Sequence, residues 1–250
     1  MNTIKTRFFA PPKNQIKLHF RRLELKFLLT LNQYLSLKLR ISRHLVLDPF
    51  AGHSGYYQIS SIYFDTANLT SYLHSKAGLR HRIKFRLRQY AQQSQPSNTI
   101  FWELKRKVDA TVIKDRGVSS PLETDKLLQQ ISTPTPDPTI QKFLQAKRRY
   151  LLKPKILLRY RREPFLGPTQ DLRITFDHHI DVTPVNLVEF KASEGKNILS
   201  KRVIMELKFA GSLPHWVGEI IGEYNLERIP VSKYSLGIEA TKSHLTWITP

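Results

Sequence analysis

Arg80-His81-Arg82-Ile83-Lys84-Phe85-Arg86-Leu87-Arg88 decides the architecture of this chain. Basic residues hold every second position, and Ile83, Phe85 and Leu87 stand between them. Side chains of a β-strand alternate between its two faces, so the segment carries a row of cations on one side and an apolar strip on the other. The alternation recurs in Arg22-Leu-Glu24-Leu-Lys26, Glu103-Leu-Lys105-Arg-Lys107, Arg173-Ile-Thr175-Phe-Asp177 and Ile204-Met-Glu206-Leu-Lys208. A solvated sheet face usually mixes signs to limit repulsion. Here cations far outnumber acids. Packing such faces together is costly unless anions compensate, so the pattern predicts a site for a polyanion and its metal.

The whole chain repeats that bias. It has 250 residues, 40 Lys and Arg against 20 Asp and Glu, and a net charge of +20. Such an excess calls for an acidic partner: nucleic acid, an anionic membrane or a phosphate-rich small molecule. Hydrophobic residues make up 40%, enough for a real core and too many for a disordered basic tail. The absence of cysteine excludes disulfide staples and thiolate metal sites. Met1 to Phe20 lacks the apolar run of a signal peptide, and no stretch approaches the ~20 apolar residues of a membrane span. A cytoplasmic location is expected.

Residues 1–18 read as a loosely ordered basic lead-in, followed by a single domain over 19–250. Strands are expected at 19–28, 58–64, 80–90, 99–108, 111–118, 155–162, 172–178, 185–191 and 202–209. A helix is expected at 31–42, with Leu31, Tyr34, Leu35 and Leu39 at helical spacing. Others are expected at 122–131, at 138–152 and from Pro214 through Tyr224. Asp65-Thr66-Ala67-Asn68 reads as a turn or cap, and 92–98 as a hairpin loop. After Pro230 only a short C-terminal segment is expected. Together these give an α+β fold: an antiparallel β tunnel barrel of about eight strands, with a polar, basic lumen and helices packed outside. Most small barrels fill their interior with apolar side chains, so this one is inverted.

The quoted segments, joined by Ser61-Ile-Tyr-Phe-Asp65-Thr66, Tyr160-Arg-Arg162-Glu-Pro-Phe and Ser232-Lys233-Tyr234, stand in an order that resembles VTC domains. These are the polyphosphate polymerase branch of the triphosphate tunnel metalloenzymes, and the likeness covers about residues 19–240. It implies a tunnel that binds ATP or another nucleoside triphosphate with Mn²⁺ or Mg²⁺. The terminal phosphate would pass to a growing polyphosphate chain. By position, Lys26, Arg86, Arg88, Lys105, Lys107, Arg162, Arg173 and Lys233 would contact phosphates. Glu206 would hold the metal, with Glu24 as a second candidate. Phosphoryl transfer suits such a residue set, because it needs positioning and charge cancellation more than covalent help. Hydrolytic relatives carry Glu-x-Glu-x-Lys on the first strand. Arg22 replaces the first acid, which resembles the polymerase branch.

Each assignment has a plainer counterpart. Glu206 could pair with Lys208 or a neighbouring arginine, and Glu24 with Lys26. Glu103 is expected to orient Lys105. Only one of Arg161 and Arg162 can face inwards, and the motif selects Arg162. Lys114 and Arg116 share a face without a settled direction. His178 and His179 read as surface or hairpin residues, and Trp102 and Trp216 as packing. The rival functions are a non-catalytic polyphosphate- or nucleotide-binding module and a nucleic-acid-binding protein. The latter ranks lower because the residues between the cations are mostly aliphatic or bound up in the motifs rather than exposed aromatics, so no nucleic-acid partner is expected. A separate membrane protein is a candidate partner. Oligomeric state is left open.

Overall fold

The alternating segments form long strands of one curled antiparallel sheet. The computed structural model describes residues 22–92, 95–109, 111–129, 135–168, 171–191, 195–230 and 232–245. The lead-in expected at 1–18, and the start of the strand expected from 19, lie outside them. In chain order the elements are β1 (Arg22–Thr30), α1 (Leu31–Ile41), β2 (Val46–Leu47), β3 (Tyr57–Asp65), α2 (Thr70–Lys76), β4 (Arg82–Gln92), β5 (Gln95–Pro96), β6 (Ile100–Val108) and β7 (Thr111–Ser119). Then come α3 (Pro121–Gln129), α4 (Pro138–Arg149), β8 (Lys153–Leu166), β9 (Leu172–Pro184), β10 (Lys196–Asn197), β11 (Arg202–Ala210), α5 (His215–Glu223) and α6 (Lys233–Leu245).

Eight long strands follow the order β1-β11-β9-β8-β3-β4-β6-β7, and β2, β5 and β10 attach to their flanks. The sheet curls into a half-barrel. Its path ends on β1 and β7, and no ladder joins those strands among the described residues. A side-chain bridge crosses the gap instead: Lys105 Nζ on β6 lies 3.6 Å from Glu24 Oε2 on β1.

The apolar strips face outward under two layers of helices. Phe27, Leu29, Phe176, Met205 and Leu207 pack with α1 and α5. Ile62, Phe64, Phe85, Leu87, Trp102 and Leu104 pack with α3 and α4 around Phe143 of α4. Burying each such side chain stabilises the fold by roughly 1.5–3 kcal/mol. Gly117 of β7 lets α4 sit close, since a Cβ there would meet Asp137 and Ile140 at 2.7 Å. Trp102 is fully buried and donates to Ser119 Oγ. Trp216 stacks on His44. Both are packing residues.

Three expectations need correction. The α1 helix forms, capped by Thr30 with Gln33, but it is rotated from the expected stripe. Leu31, Leu35 and Leu39 are exposed, while Leu37 and Ile41 are buried and Tyr34 packs beside them. In a segment this rich in leucine, more than one row satisfies helical spacing. Tyr34 is the row that counts, because its hydroxyl donates to Glu163 Oε1 of β8 at 2.8 Å. The strand expected at 185–191 is absent, because β9 runs on to Pro184. A register shift between β8 and β9, with His179 at φ 50, absorbs an extra residue and carries the strand past the histidine pair. His178 and His179 therefore lie mid-strand rather than in a hairpin. Thirdly, the short C-terminal segment is the helix α6.

That helix matters for the lumen. Tyr234 and Ile238 of α6 pack with Ile156, Leu158, Ile180, Val182 and Ile204 at one end of the concave face. Gly237 makes the approach close, since a Cβ there would meet Ile156 Cδ1 at 2.7 Å. Tyr234 stacks on Tyr63 at 4.8 Å and donates to Asp65, whose carboxylate also accepts from the Ser71 and Tyr72 N–H groups of α2. Asp65 thus ties β3, α2 and α6 together, more than the turn or cap its sequence suggests.

Candidate functional site

The concave face beyond that apolar end is cationic. Register sets the rows: Arg86 opposes Tyr63 on one side and Glu103 on the other, and Lys84 opposes Lys105. Glu103 opposes Arg116, and Lys105 opposes Lys114. Across the half-barrel, Lys26 opposes Glu206 and Arg162 opposes Asp177.

Two buried anionic centres hold these cations. The first is Glu206 with Asp177. Arg162 makes two hydrogen bonds of 2.6 Å to Asp177 and one of 3.1 Å to Glu206 Oε2. Lys233, at the start of α6, reaches Asp177 at 2.5 Å and Glu206 Oε1 at 3.0 Å. Lys26 lies 3.7 Å and Lys208 3.4 Å from Glu206. Burial pushes the Glu206 carboxyl up, but Lys233, Arg162, Lys208 and Lys26 outweigh it and hold the group well below the usual carboxylate range. Glu24, 3.1 Å from Lys26, is brought down to about 2, with Lys26, Lys105 and Lys208 overcoming its burial.

The second centre is Glu103, fully buried. Arg86 Nε donates to it at 2.6 Å, Arg116 at 2.6 Å and Lys114 Nζ stands at 2.5 Å, with Arg88 Nη1 at 3.8 Å. Arg86 also donates to the Tyr63 hydroxyl at 2.9 Å, and Arg88 to Ser61 Oγ at 3.1 Å. Glu103 was expected to orient Lys105. Its partners are these four cations instead, and Lys105 pairs with Glu24.

Neutralisation is incomplete. Burial, reinforced by Lys26, Lys105, Arg82 and Arg86, pulls the Lys84 ammonium down to about 7. Burial likewise brings Lys105 and Lys114 down to about 8, against the pull of Glu24 and Glu103 respectively. Burial would raise the Tyr90 phenol, yet Arg88 and Arg116 bring it down to about 7. Lysines brought down chiefly by burial, and a tyrosine acidified by two arginines, thus share one groove, where an incoming polyanion would favour the charged lysines.

A profile of the VTC domain matches residues 21–242. The chain belongs to the VTC domain family. No curated protein sequence matches it. Among solved structures, this VTC domain is similar to a Bacillus halodurans protein described provisionally as an adenylate cyclase. The match covers 85% of this chain and 95% of that one, with a TM-score of 0.48 and 15% identity.

Of the residues singled out by sequence, this VTC domain gathers Lys26, Arg86, Arg88, Lys105, Arg162, Glu206, Glu24 and Lys233 on the concave face. Arg173 opposes Lys208 on that face and donates to Asp48 Oδ2 and the Tyr57 hydroxyl, both at 3.1 Å. Lys107 lies near the end of β6, opposite Arg82 and Val112, and makes no ion pair among the described residues. Arg161 is exposed and stacks over Tyr56, leaving Arg162 as the inward member of the pair. His178 faces the outer side, 3.2 Å from Glu163.

Sequence reasoning gave no site role to Lys84, Asp177 and Thr175, offered Lys208 only as an ion partner of Glu206, which it is at 3.4 Å, and left Lys114 and Arg116 without a direction. Lys84 and Lys208 share the alternation of Arg86 and Glu206, so the period-two rule places them on the same face. Thr175, between Arg173 and Asp177, is buried with its hydroxyl unpartnered among the described residues. No helix among those residues is long and apolar enough to cross a membrane.

Proposed function

We propose that this VTC domain is a metal-dependent polyphosphate polymerase. The observation that carries the reading is the convergence of cations from β1, β4, β6, β7, β8, β11 and α6 on one groove, where they exceed the carboxylates that partner them. A linear chain of phosphates matches such a groove in charge. In the proposed reaction a terminal oxygen of the growing chain attacks the γ-phosphorus of ATP. The new P–O–P link forms as the bond to the β-phosphate oxygen breaks, and ADP leaves. No protein nucleophile is needed. Arg86 and Arg88 supply guanidinium contacts to equatorial oxygens, while Arg162, whose Nε–Nη2 edge is held by Asp177, adds charge beside Lys26, Lys105 and Lys233.

No group of three His, Cys, Asp or Glu that could hold a metal exists among the described residues. Both Glu206 oxygens already face cations. A hard divalent ion held by one or two carboxylates and completed by substrate phosphates still fits this donor set. Glu206, with Glu24 across Lys26, would hold it. Once bound, Mn²⁺ or Mg²⁺ would neutralise charge developing on the transferring oxygens.

Incubating purified protein with ATP and Mn²⁺ and resolving the products on a gel tests the reading. Long polyphosphate is expected, and Glu206→Gln should lower its synthesis by orders of magnitude while the protein still melts cooperatively. Near-normal synthesis by that variant at saturating Mn²⁺ would remove Glu206 from the metal role. The full ion pairing of Glu206 is the one observation that favours a non-catalytic binding module. Tight tripolyphosphate binding with no polymer would select that alternative.

A further inference from the structure

Phe50 is 47% exposed, although it stands beside the cationic concave face. It sits in a single turn of 3₁₀ helix, Pro49–Ala51, between β2 and β3. Its ring makes edge-to-face contacts with Tyr57 at 5.2 Å and Tyr90 at 6.2 Å. Those tyrosines belong to the concave faces of β3 and β4. Tyr90 in turn meets Phe101 at 5.4 Å. The Arg88 guanidinium lies over the Tyr90 ring at 5.9 Å, and that of Arg116 over Phe101 at 4.6 Å. The aromatic group is therefore continuous with the second cationic centre.

The turn that carries Phe50 is held from three sides. Asp48 accepts from the Phe50 N–H at 3.0 Å and, through its other oxygen, from Arg173 at 3.1 Å. The Gln92 side chain of β4 donates to the Phe50 carbonyl. Ala51 is buried. An exposed aromatic side chain on a braced turn loses little further freedom when a flat ligand stacks on it. Base stacking on aromatic rings is tolerant of sequence and common in grooves that also hold phosphates.

We propose that Phe50, rimmed by Tyr57 and Tyr90, is the platform for the base of the nucleoside triphosphate. This rests on the phosphate reading of the groove and adds where the nucleoside end lies: at the mouth formed by residues 48–52, with the phosphates running inward past Arg88. The platform reads the base by its face, so it favours larger purine rings without a strict hydrogen-bond code.

Calorimetric titration of wild type and Phe50→Ala with ATP, and separately with inorganic tripolyphosphate, tests this. Phe50→Ala should weaken ATP binding about tenfold or more, leave tripolyphosphate unchanged, and be rescued by Phe50→Trp. Equal loss of both ligands would assign Phe50 to loop structure and overturn the proposal. Unchanged ATP affinity would place the base elsewhere. If wild type bound neither ligand, the phosphate reading itself would fall, and the platform with it.

Discussion

Replacing Glu103 by glutamine keeps the shape of the second anionic centre and removes its charge. Four cations would then face one another, with Arg86, Arg116 and Lys114 having stood within 2.6 Å of the lost carboxylate. Removing one partner of a buried ion pair costs about 3–5 kcal/mol. Lys114 and Arg116 retain side-chain exposure of 36% and 37%, so water offsets part of the cost. The lower end, about 3 kcal/mol, is the working figure. At about 2–4 °C per kcal/mol for a chain of this size, Glu103→Gln should lower the melting temperature by roughly 6–12 °C. Tripolyphosphate should reverse this, because its oxygens supply the missing anion. A ligand at 100 times its Kd stabilises the folded state by about 2.7 kcal/mol, and tighter binding to the variant would add to that. Scanning calorimetry of both proteins, with and without tripolyphosphate, reads the two effects. A ligand-free drop below about 2 °C, or a ligand-induced rise no larger than in wild type, would refute the account of Glu103 as a built-in counter-anion.

Arg86→Ala and Arg88→Ala should each weaken tripolyphosphate binding by about 1.5–3 kcal/mol while leaving ligand-free melting nearly unchanged, since Glu103 keeps other partners. Unaltered affinity in both variants, measured by calorimetry, would turn this face to bulk water. The pH dependence follows from Lys84, Lys105 and Lys114, brought down to about 7–8 in the folded protein. The unfolded chain then binds more protons from about pH 7 to about 10.4, so ligand-free stability should rise with pH across that window. Tripolyphosphate binding should take up protons near pH 8, seen as a buffer-dependent enthalpy, and weaken as pH rises. A flat profile of both would contradict the burial of these lysines. At about 0.15 M salt short polyphosphate should raise the melting temperature more than duplex DNA, which would meet mainly the screened outer charge. Equal stabilisation would favour a nucleic-acid partner.

Much of this arrangement was legible in the strand alternation. A period of two fixes which residues of a strand share a face, so the alternation alone groups Arg86 with Arg88, Lys26 with Glu24, and Glu103 with Lys105. What alternation cannot supply is the pairing of strands distant in the chain. That is why Glu103 was matched with Lys105 on its own strand rather than with Arg116 across the ladder to β7. It is also why Lys114 and Arg116, on the edge strand, had no assigned direction. Helix α6 escaped notice because Tyr234, Ile238 and Thr241 give it a narrow buried stripe after a proline, in a segment containing Gly237. The turn holding Phe50 is set by Asp48, whose partner Arg173 lies 125 residues away, and no local pattern announces such a contact.

The open seam between β1 and β7 bears on how a polymer could be loaded. A fully laddered barrel admits a long chain only by threading from a free end, which becomes slower as the chain lengthens. Here no ladder joins the two edges among the described residues, and the free edge of β1 is covered only locally, where the Ile229 N–H donates to the Lys26 carbonyl at 2.9 Å. The bridge from Lys105 to Glu24 is partly solvated, and an ion pair of that kind contributes roughly 0–1 kcal/mol. Opening the seam would cost this latch and the few contacts of the segment leading to α6, Ile229 to Lys26 and Lys84 to Ser232, rather than a whole ladder. An internal stretch of a pre-formed polyphosphate could then be laid in sideways, leaving both of its ends free in solution.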